Sequence, residues 1–200
     1  MCGRYDLSEN PAAIKAKFSV PAVPEFTLRN PADVSPTERA PIVRLARDCG
    51  RKCSIARWGL VPFWAKGLSS GNRFINARAE TIATAPAFRA AFKARRCLVP
   101  VNAFYEWSGP KGQRVRWRVV LKDEPLFALA GLWEWWRDPA SGDGVETFTI
   151  VTTDANDALA RIHDRMPVVV APEEYAAWLD PTTPLMAGDA AARIHVEPSP

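Results

Sequence analysis

Two histidines in 200 residues leave little choice of a side chain that carries protons near neutrality. No Gly-rich phosphate loop, dinucleotide fingerprint or Gly-x-Ser-x-Gly elbow occurs, so the sequence gives no support to nucleotide-cofactor or elbow-serine chemistry, and no cofactor is expected. No apolar run approaches the roughly 20 residues that span a bilayer. The N-terminus lacks the basic-then-apolar pattern of a secretory signal. A cytoplasmic protein with no membrane partner is therefore expected, and its four cysteines (Cys2, Cys49, Cys53, Cys97) read as reduced thiols. Cys49 and Cys53 superficially suggest a metal pair. A second pair is missing and His163 and His195 are distant, so no metal is expected.

Acidic residues are scarce over the first part of the chain. Residues 1–118 hold 21 Lys and Arg against 8 Asp and Glu, a balance of +13, whereas residues 119–200 hold 5 against 14, a balance of −9. A basic part of that size points to a polyanion, most commonly nucleic acid, or to a merely solubilising surface. Eight tryptophans need either a core or a ligand to cover them. Phe63 and Trp64, in a loop from Pro62 to Gly71, lie among basic residues. That combination holds single strands by stacking on bases while Arg and Lys take phosphates, although core packing is the simpler use, favoured for Trp58.

Asn10-Pro11 predicts a capped helix ending at Phe18. Five prolines over residues 20–41 (Pro21, Pro24, Pro31, Pro36, Pro41) predict an extended covering loop. Strands are expected at 42–46 and 53–58, joined through Asp48-Cys49-Gly50, followed by a helix over 84–95. The second half reads as strand-rich, with strands at 97–101, 104–107, 115–121, 126–136 and 148–152. A helix capped by Asp154 and ending near Arg161 is expected, then a strand at 168–170 and a helix over 173–179. Arg114, Arg116 and Arg118 alternate with apolar residues, which places three guanidinium groups on one strand face. The expected fold is a single compact α+β domain over residues 1–197. Its mostly antiparallel, curved, barrel-like sheet carries a few short helices, and 198–200 form a frayed tail.

Four places could carry chemistry. Asn76, Arg78 and Glu80, two apart, share one face of an extended segment, where Arg78 could clamp a phosphate and Glu80 could hold Arg78. The plain alternative is a surface strand with an internal ion pair. Glu106, between Tyr105 and Trp107, is desolvated if it faces inward, which raises its pKa and suits proton transfer; on the other face it is an ordinary solvated carboxylate. His163, beside Asp164 and Arg165 and ahead of an apolar strand, is a better proton carrier than His195. Cys2 stands one methionine from the N-terminus. If Met1 is lost, its free amine and thiol form a 1,2-aminothiol. Such a group condenses with an aldehyde to an imine, which the sulfur closes into a thiazolidine. Otherwise Cys2 is a small apolar residue near a chain end.

Seven segments together resemble the SOS response-associated peptidase family, whose members are also described as abasic-site processing proteins. They are Met1-Cys2-Gly3-Arg4-Tyr5, Arg57-Trp58-Gly59-Leu60-Val61-Pro62 with Trp64, Asn76-Ala77-Arg78-Ala79-Glu80-Thr81, Arg96-Cys97-Leu98-Val99-Pro100, Phe104-Tyr105-Glu106-Trp107, Ala130-Gly131-Leu132-Trp133-Glu134 and Ile162-His163-Asp164-Arg165-Met166-Pro167. They keep the family order over nearly the whole chain. The resemblance implies a basic groove for single-stranded DNA containing abasic sites, in a protein expected to be monomeric. It implies Cys2 as nucleophile, with Asn76, Glu106 and His163 as further active-site residues, and Arg4, Trp64, Arg78 and Arg165 as DNA contacts. It also implies a peptidase activity that would expose the cysteine. Two departures stand out: Asn102-Ala103 replaces a frequent Asp-Gly, and members often continue beyond this length. A thiol peptidase using Cys2, His163 and Asn76, or a module that binds single strands without chemistry, are the competing readings.

Overall fold

In a computed structural model, residues 2–47, 49–184 and 189–199 are described. Twelve strands and three short α-helices are found among them. β1 (Arg4–Asp6) is followed by helix α1 (Pro11–Phe18), where the Asn10 side chain accepts the Ala13 N–H at 3.0 Å and Pro11 opens the first turn. Ser19, left-handed at φ 52°, ends that helix. Its buried residues are Ile14 and Phe18, and the Phe18 ring stacks on Tyr175 at 5.3 Å.

β2 (Arg39–Leu45) and β3 (Arg51–Trp58) form the expected hairpin. Of its connecting residues, Asp48 lies outside the described residues. β2 begins within the proline-rich stretch, because Pro41 takes an extended φ and can sit in a strand. β4 (Asn76–Arg78) comes next, then α2 (Arg89–Ala94), β5 (Arg96–Val101), β6 (Ala103–Ser108), β7 (Val115–Leu121), β8 (Phe127–Arg137) and β9 (Gly144–Asp154). β10 (Arg165–Pro167), β11 (Val169–Val170), α3 (Tyr175–Leu179) and β12 (Ile194–Pro198) complete the chain.

Around β9, β3, β2, β5 and β8 the pairing returns to β9, which closes a five-stranded barrel. Its one parallel seam joins β3 to β9 and the other pairings are antiparallel. Closure removes the free edges that an open sheet would present. The barrel strands bury β-branched and aliphatic side chains on both of their faces, among them Ile42, Val43, Leu98, Leu132 and Ile150. A second sheet has the order β1-β6-β7-β12. The chain passes from barrel to sheet at Asn102. Its N–H bonds the Asp6 carbonyl at 2.7 Å, its Oδ1 accepts from Glu9, and its Nδ2 donates to the Pro125 carbonyl. Neither Asn102 nor Ala103 needs a left-handed backbone, so this pair serves without glycine.

Two expected helices are corrected. The one over 84–95 is helical only from Arg89 to Ala94, because Pro86 has no N–H to give and the preceding residues close single turns instead, Ala85 and Thr84 both bonding Thr81. Nor does Asp154 cap a helix. It is the last residue of β9, its carboxylate pairs with Arg165, and residues 157–162 form turns in which Asn156 Oδ1 accepts the Leu159 N–H. At the C-terminus β12 pairs with β7 as far as Pro198, and the Ser199 N–H bonds the Arg116 carbonyl at 2.9 Å.

Candidate active site

β1 pairs antiparallel with β6, Arg4 opposite Tyr105 and Tyr5 opposite Phe104. This pairing carries the chain end toward Glu106, the next residue along β6. Cys2 and Glu106 are both buried, the carboxylate residue only 1% exposed. β4 meets the same point from the barrel. Held parallel to β9 with Asn76 beside Ile150, it aims the Asn76 amide at the chain end, and Nδ2 donates to the Cys2 carbonyl at 2.9 Å. Asn76 Oδ1 is buried and finds no hydrogen-bond partner among the described residues.

Burial raises the Cys2 thiol well above the ordinary thiol range, and the neighbouring Glu106 charge pushes it further. Burial also lifts Glu106, to about 7, and Asp164 adds to the rise. The carboxyl is thus poised to change protonation near neutral pH. His163 is displaced the other way: burial holds it below its usual value, so the ring is neutral. Its Nδ1 lies 3.0 Å from the Arg165 N–H and 2.8 Å from Asp164 Oδ1. An N–H meets a bare ring nitrogen, whereas a carboxylate calls for a protonated one. In the neutral ring the Arg165 contact prevails, since the Asp164 side chain is largely solvated. The ring proton then sits on Nε2, free of the Arg165 contact.

The predicted DNA contacts are placed differently from one another. Arg4 and Arg116 each hold one oxygen of Asp33 at 2.8 Å, and Arg116 lies 3.7 Å over the Tyr105 ring. Arg118 bridges Asp6 and Glu197. The three-arginine face expected near β7 is therefore partly neutralised, and Arg114 lies before the strand. Arg78 is exposed at the end of β4 and forms no ion pair among the described residues. Glu80 does not hold it. The chain turns after Arg78, and Glu80 instead grips Arg165 in a bidentate pair at 2.8 and 2.9 Å. Arg165 also bonds Asp154 and the Thr152 carbonyl, and its side chain is only 11% exposed.

Phe63 and Trp64 stand 62% and 55% exposed, with Lys66 and Arg73 exposed nearby. Their loop is firmly rooted. Gly59 (φ 114°) and Gly71 face one another so closely that a Cβ on either would lie within 3 Å of the other's carbonyl oxygen. Val61 N–H bonds Thr147 Oγ1, and Trp136 Nε1 bonds the Ala65 carbonyl. A rigid base thus presents two bare aromatic rings. Asp33, which joins Arg4 to Arg116, was not picked out from the sequence. Its only local signal is the Asn30-capped Pro31 turn, which fixes its position but not its partners.

A model of the SOS response associated peptidase (SRAP) family matches residues 1–196. The chain belongs to that family. Among curated members, the abasic site processing protein YoqW of Bacillus subtilis is 38% identical over 185 residues, covering 90% of this chain and 81% of the relative. The abasic site processing protein HMCES of Pongo abelii is 30% identical, with 76% of this chain and 52% of that protein covered. Among solved structures, a Bacteroides thetaiotaomicron protein superposes with a TM-score of 0.85 at 28% identity, over 98% of this chain and 91% of the other. A phage-related protein of Bordetella bronchiseptica gives 0.74 at 27% identity, over 99% and 94%.

Proposed function

We propose that this SRAP protein binds single-stranded DNA and, once Met1 is removed, crosslinks Cys2 to the ring-opened aldehyde of an abasic site as a thiazolidine, shielding the lesion. The names of its relatives give the substrate class. The observation that carries the chemistry is the convergence of Asn76, Glu106 and Cys2, with Asn76 holding the Cys2 carbonyl at 2.9 Å.

The order of steps follows from the protonation states. A thiol held protonated by burial does not attack first. An α-amine, with an ordinary pKa of about 7.7–8.0, is available as free base near neutrality. It adds to the aldehyde carbon and water leaves, giving the imine. Glu106, titrating at about 7, takes the proton lost by the amine and returns it to the departing oxygen. His163, neutral with its proton on Nε2, donates a hydrogen bond to the sugar ring oxygen, while the proton leaving the anomeric hydroxyl is carried through solvent to that oxygen as the ring opens to the aldehyde. The Cys2 sulfur then adds to the imine carbon, the C=N bond becomes a single bond, and the thiol proton passes to nitrogen. Closing the ring removes the imine that would otherwise acidify the neighbouring C–H and permit strand breakage. Arg4 and Arg78 take phosphates, Trp64 stacks on a base, and Arg165 orders the segment leading from His163 into β10 while contributing positive charge. A thiol peptidase would need Asn76 to orient His163; its amide donates to Cys2 instead.

Intact mass of the protein after incubation with abasic single-stranded DNA tests the reading. The expected mass is that of protein without Met1 plus oligonucleotide minus one water. A protein that retains Met1 and still forms a heat-stable adduct overturns it.

A further inference from the structure

The ends of β2 and β8 and the starts of β3, β5 and β9 gather at one mouth of the barrel, whereas β4 and β6, which carry Asn76 and Glu106, lie toward the other. At a strand rise of about 3.3 Å per residue, Glu146 sits roughly 13 Å along β9 from Ile150, the partner of Asn76. This mouth holds a cleft of about 670 Å³, within the range of about 300–1,000 Å³ typical of ligand sites. Its chemistry is basic and aromatic. Arg44 pairs with Glu146 and lies 3.9 Å over the Trp133 ring. Trp135, directly across from Glu146, is 49% exposed, and Arg47 and Lys52 line the same cleft. Trp135 is held flat against the backbone at Gly144, where any Cβ would collide with its ring.

Two features point to a ligand with both a flat face and polar edges. A large aromatic ring is left open to solvent on a rigid bed. Glu146 Oε2 is buried and has no hydrogen-bond partner among the described residues, although its other oxygen is paired. An exocyclic amine of a base supplies the donor that this oxygen lacks. A phosphate supplies the anion that Arg47 and Lys52 lack among the described residues.

We propose that the mouth is a second nucleic-acid contact, holding one nucleotide of a single strand with its base against Trp135 and its phosphate between Arg47 and Lys52. This rests on the reading of the protein as a single-strand binder. It adds a second anchoring point, remote from Cys2, so that a long strand is gripped at both ends of the barrel.

Photocrosslinking with an undamaged, bromouracil-containing oligonucleotide of about 20 nucleotides, followed by peptide mapping, reads the contact directly. Crosslinks on the peptide containing Trp135 are expected, and their absence there overturns the proposal. Trp135→Ala and Lys52→Glu should each weaken binding of that oligonucleotide about fivefold or more by fluorescence anisotropy. Both should leave adduct formation on an abasic oligonucleotide of about five nucleotides unchanged. Unaltered affinity in both variants, or equal loss on the short oligonucleotide, overturns it. If the wild-type protein forms no adduct on the short oligonucleotide, the proposed crosslinking chemistry fails, and the bromouracil map still decides the mouth.

Discussion

The two ends of the barrel treat buried charge in opposite ways. At the far mouth the buried ionic side chains are held by partners, although Glu146 Oε2 has no hydrogen-bond partner among the described residues. Glu134 is paired with Arg95 at 2.7 Å and accepts the Trp135 N–H. Arg96 donates to the carbonyls of Phe92, Asp180, Pro181 and Thr183 and packs on two aromatic rings. At the Cys2 end burial shifts protonation instead. A thiol is pushed up, a carboxyl is pushed up to about 7, and an amide oxygen lies without a partner among the described residues. A carboxylate held by an arginine keeps its charge, whereas a carboxyl lifted by burial to about 7 exchanges its proton near neutrality. The contrast supports the Cys2 end as the place where the proposed chemistry moves protons.

The sharpest break in that contrast is Cys2→Ala, which should abolish the heat-stable adduct on denaturing gels while leaving salt-sensitive DNA binding in place. A persisting adduct would remove the thiazolidine from the mechanism. Glu106→Gln should come next. General-base help is worth roughly 10²–10⁴ in rate, so the adduct should form at least about a hundredfold more slowly, and the rise in rate should move up from pH 7 to the α-amine's own range of about 7.7–8.0.

The same variant tests the energetics. Glu106 has a folded pKa of about 7, raised from 4.5. Its contribution to stability is therefore full below about pH 4.5 and lost as pH climbs to about 7, a swing of about 3 kcal/mol at 1.36 kcal/mol per unit. Glu106→Gln should thus gain in melting temperature relative to wild type as pH is raised from 4 to 8. A gap that shrinks over that interval contradicts the assignment.

At the paired end the result should invert. Arg95→Ala strands the Glu134 carboxylate and should destabilise the fold by about 3 kcal/mol in urea melts, with no change in the adduct rate per folded molecule. The smallest effect is expected at the aromatic loop. Trp64→Ala should cost about 1–2 kcal/mol of single-strand affinity by anisotropy and leave the melting temperature nearly unmoved, since its ring is largely exposed.

Local signals in the chain were readable where one residue decides its own neighbourhood. Asn10-Pro11 began a helix, the alternation through Val115 to Leu121 made a strand, and the aromatic loop at Phe63 and Trp64 is solvent-facing. Where distant segments meet, the sequence was silent. Glu80 sits two residues from Arg78 yet grips Arg165, because the chain turns between the near neighbours while β9 and β10 deliver the remote one. Asp33, Asp6 and Glu197 neutralise arginines from far along the chain. Nothing in hydrophobic periodicity announces the parallel β3–β9 seam, yet that seam turns a sheet into a barrel with two unlike mouths. Cys2, Asn76, Glu106 and His163 were candidates on residue chemistry alone, and the resemblance to a family grouped them into one expected site. Which of them touch, and which are tied up elsewhere, required the fold.

The Asn76 amide grips a carbonyl oxygen, an atom of Cys2 that exists whether its amine is free or still joined to a preceding residue. If Cys2 reacts as proposed, the cradle is ready before Met1 is lost, and a single peptide cleavage arms it with no refolding. A practical rule for handling the protein follows. Any affinity handle fused ahead of Cys2 would yield a well-folded, inert product, so purification tags belong at the other terminus or behind a protease site that leaves Cys2 first.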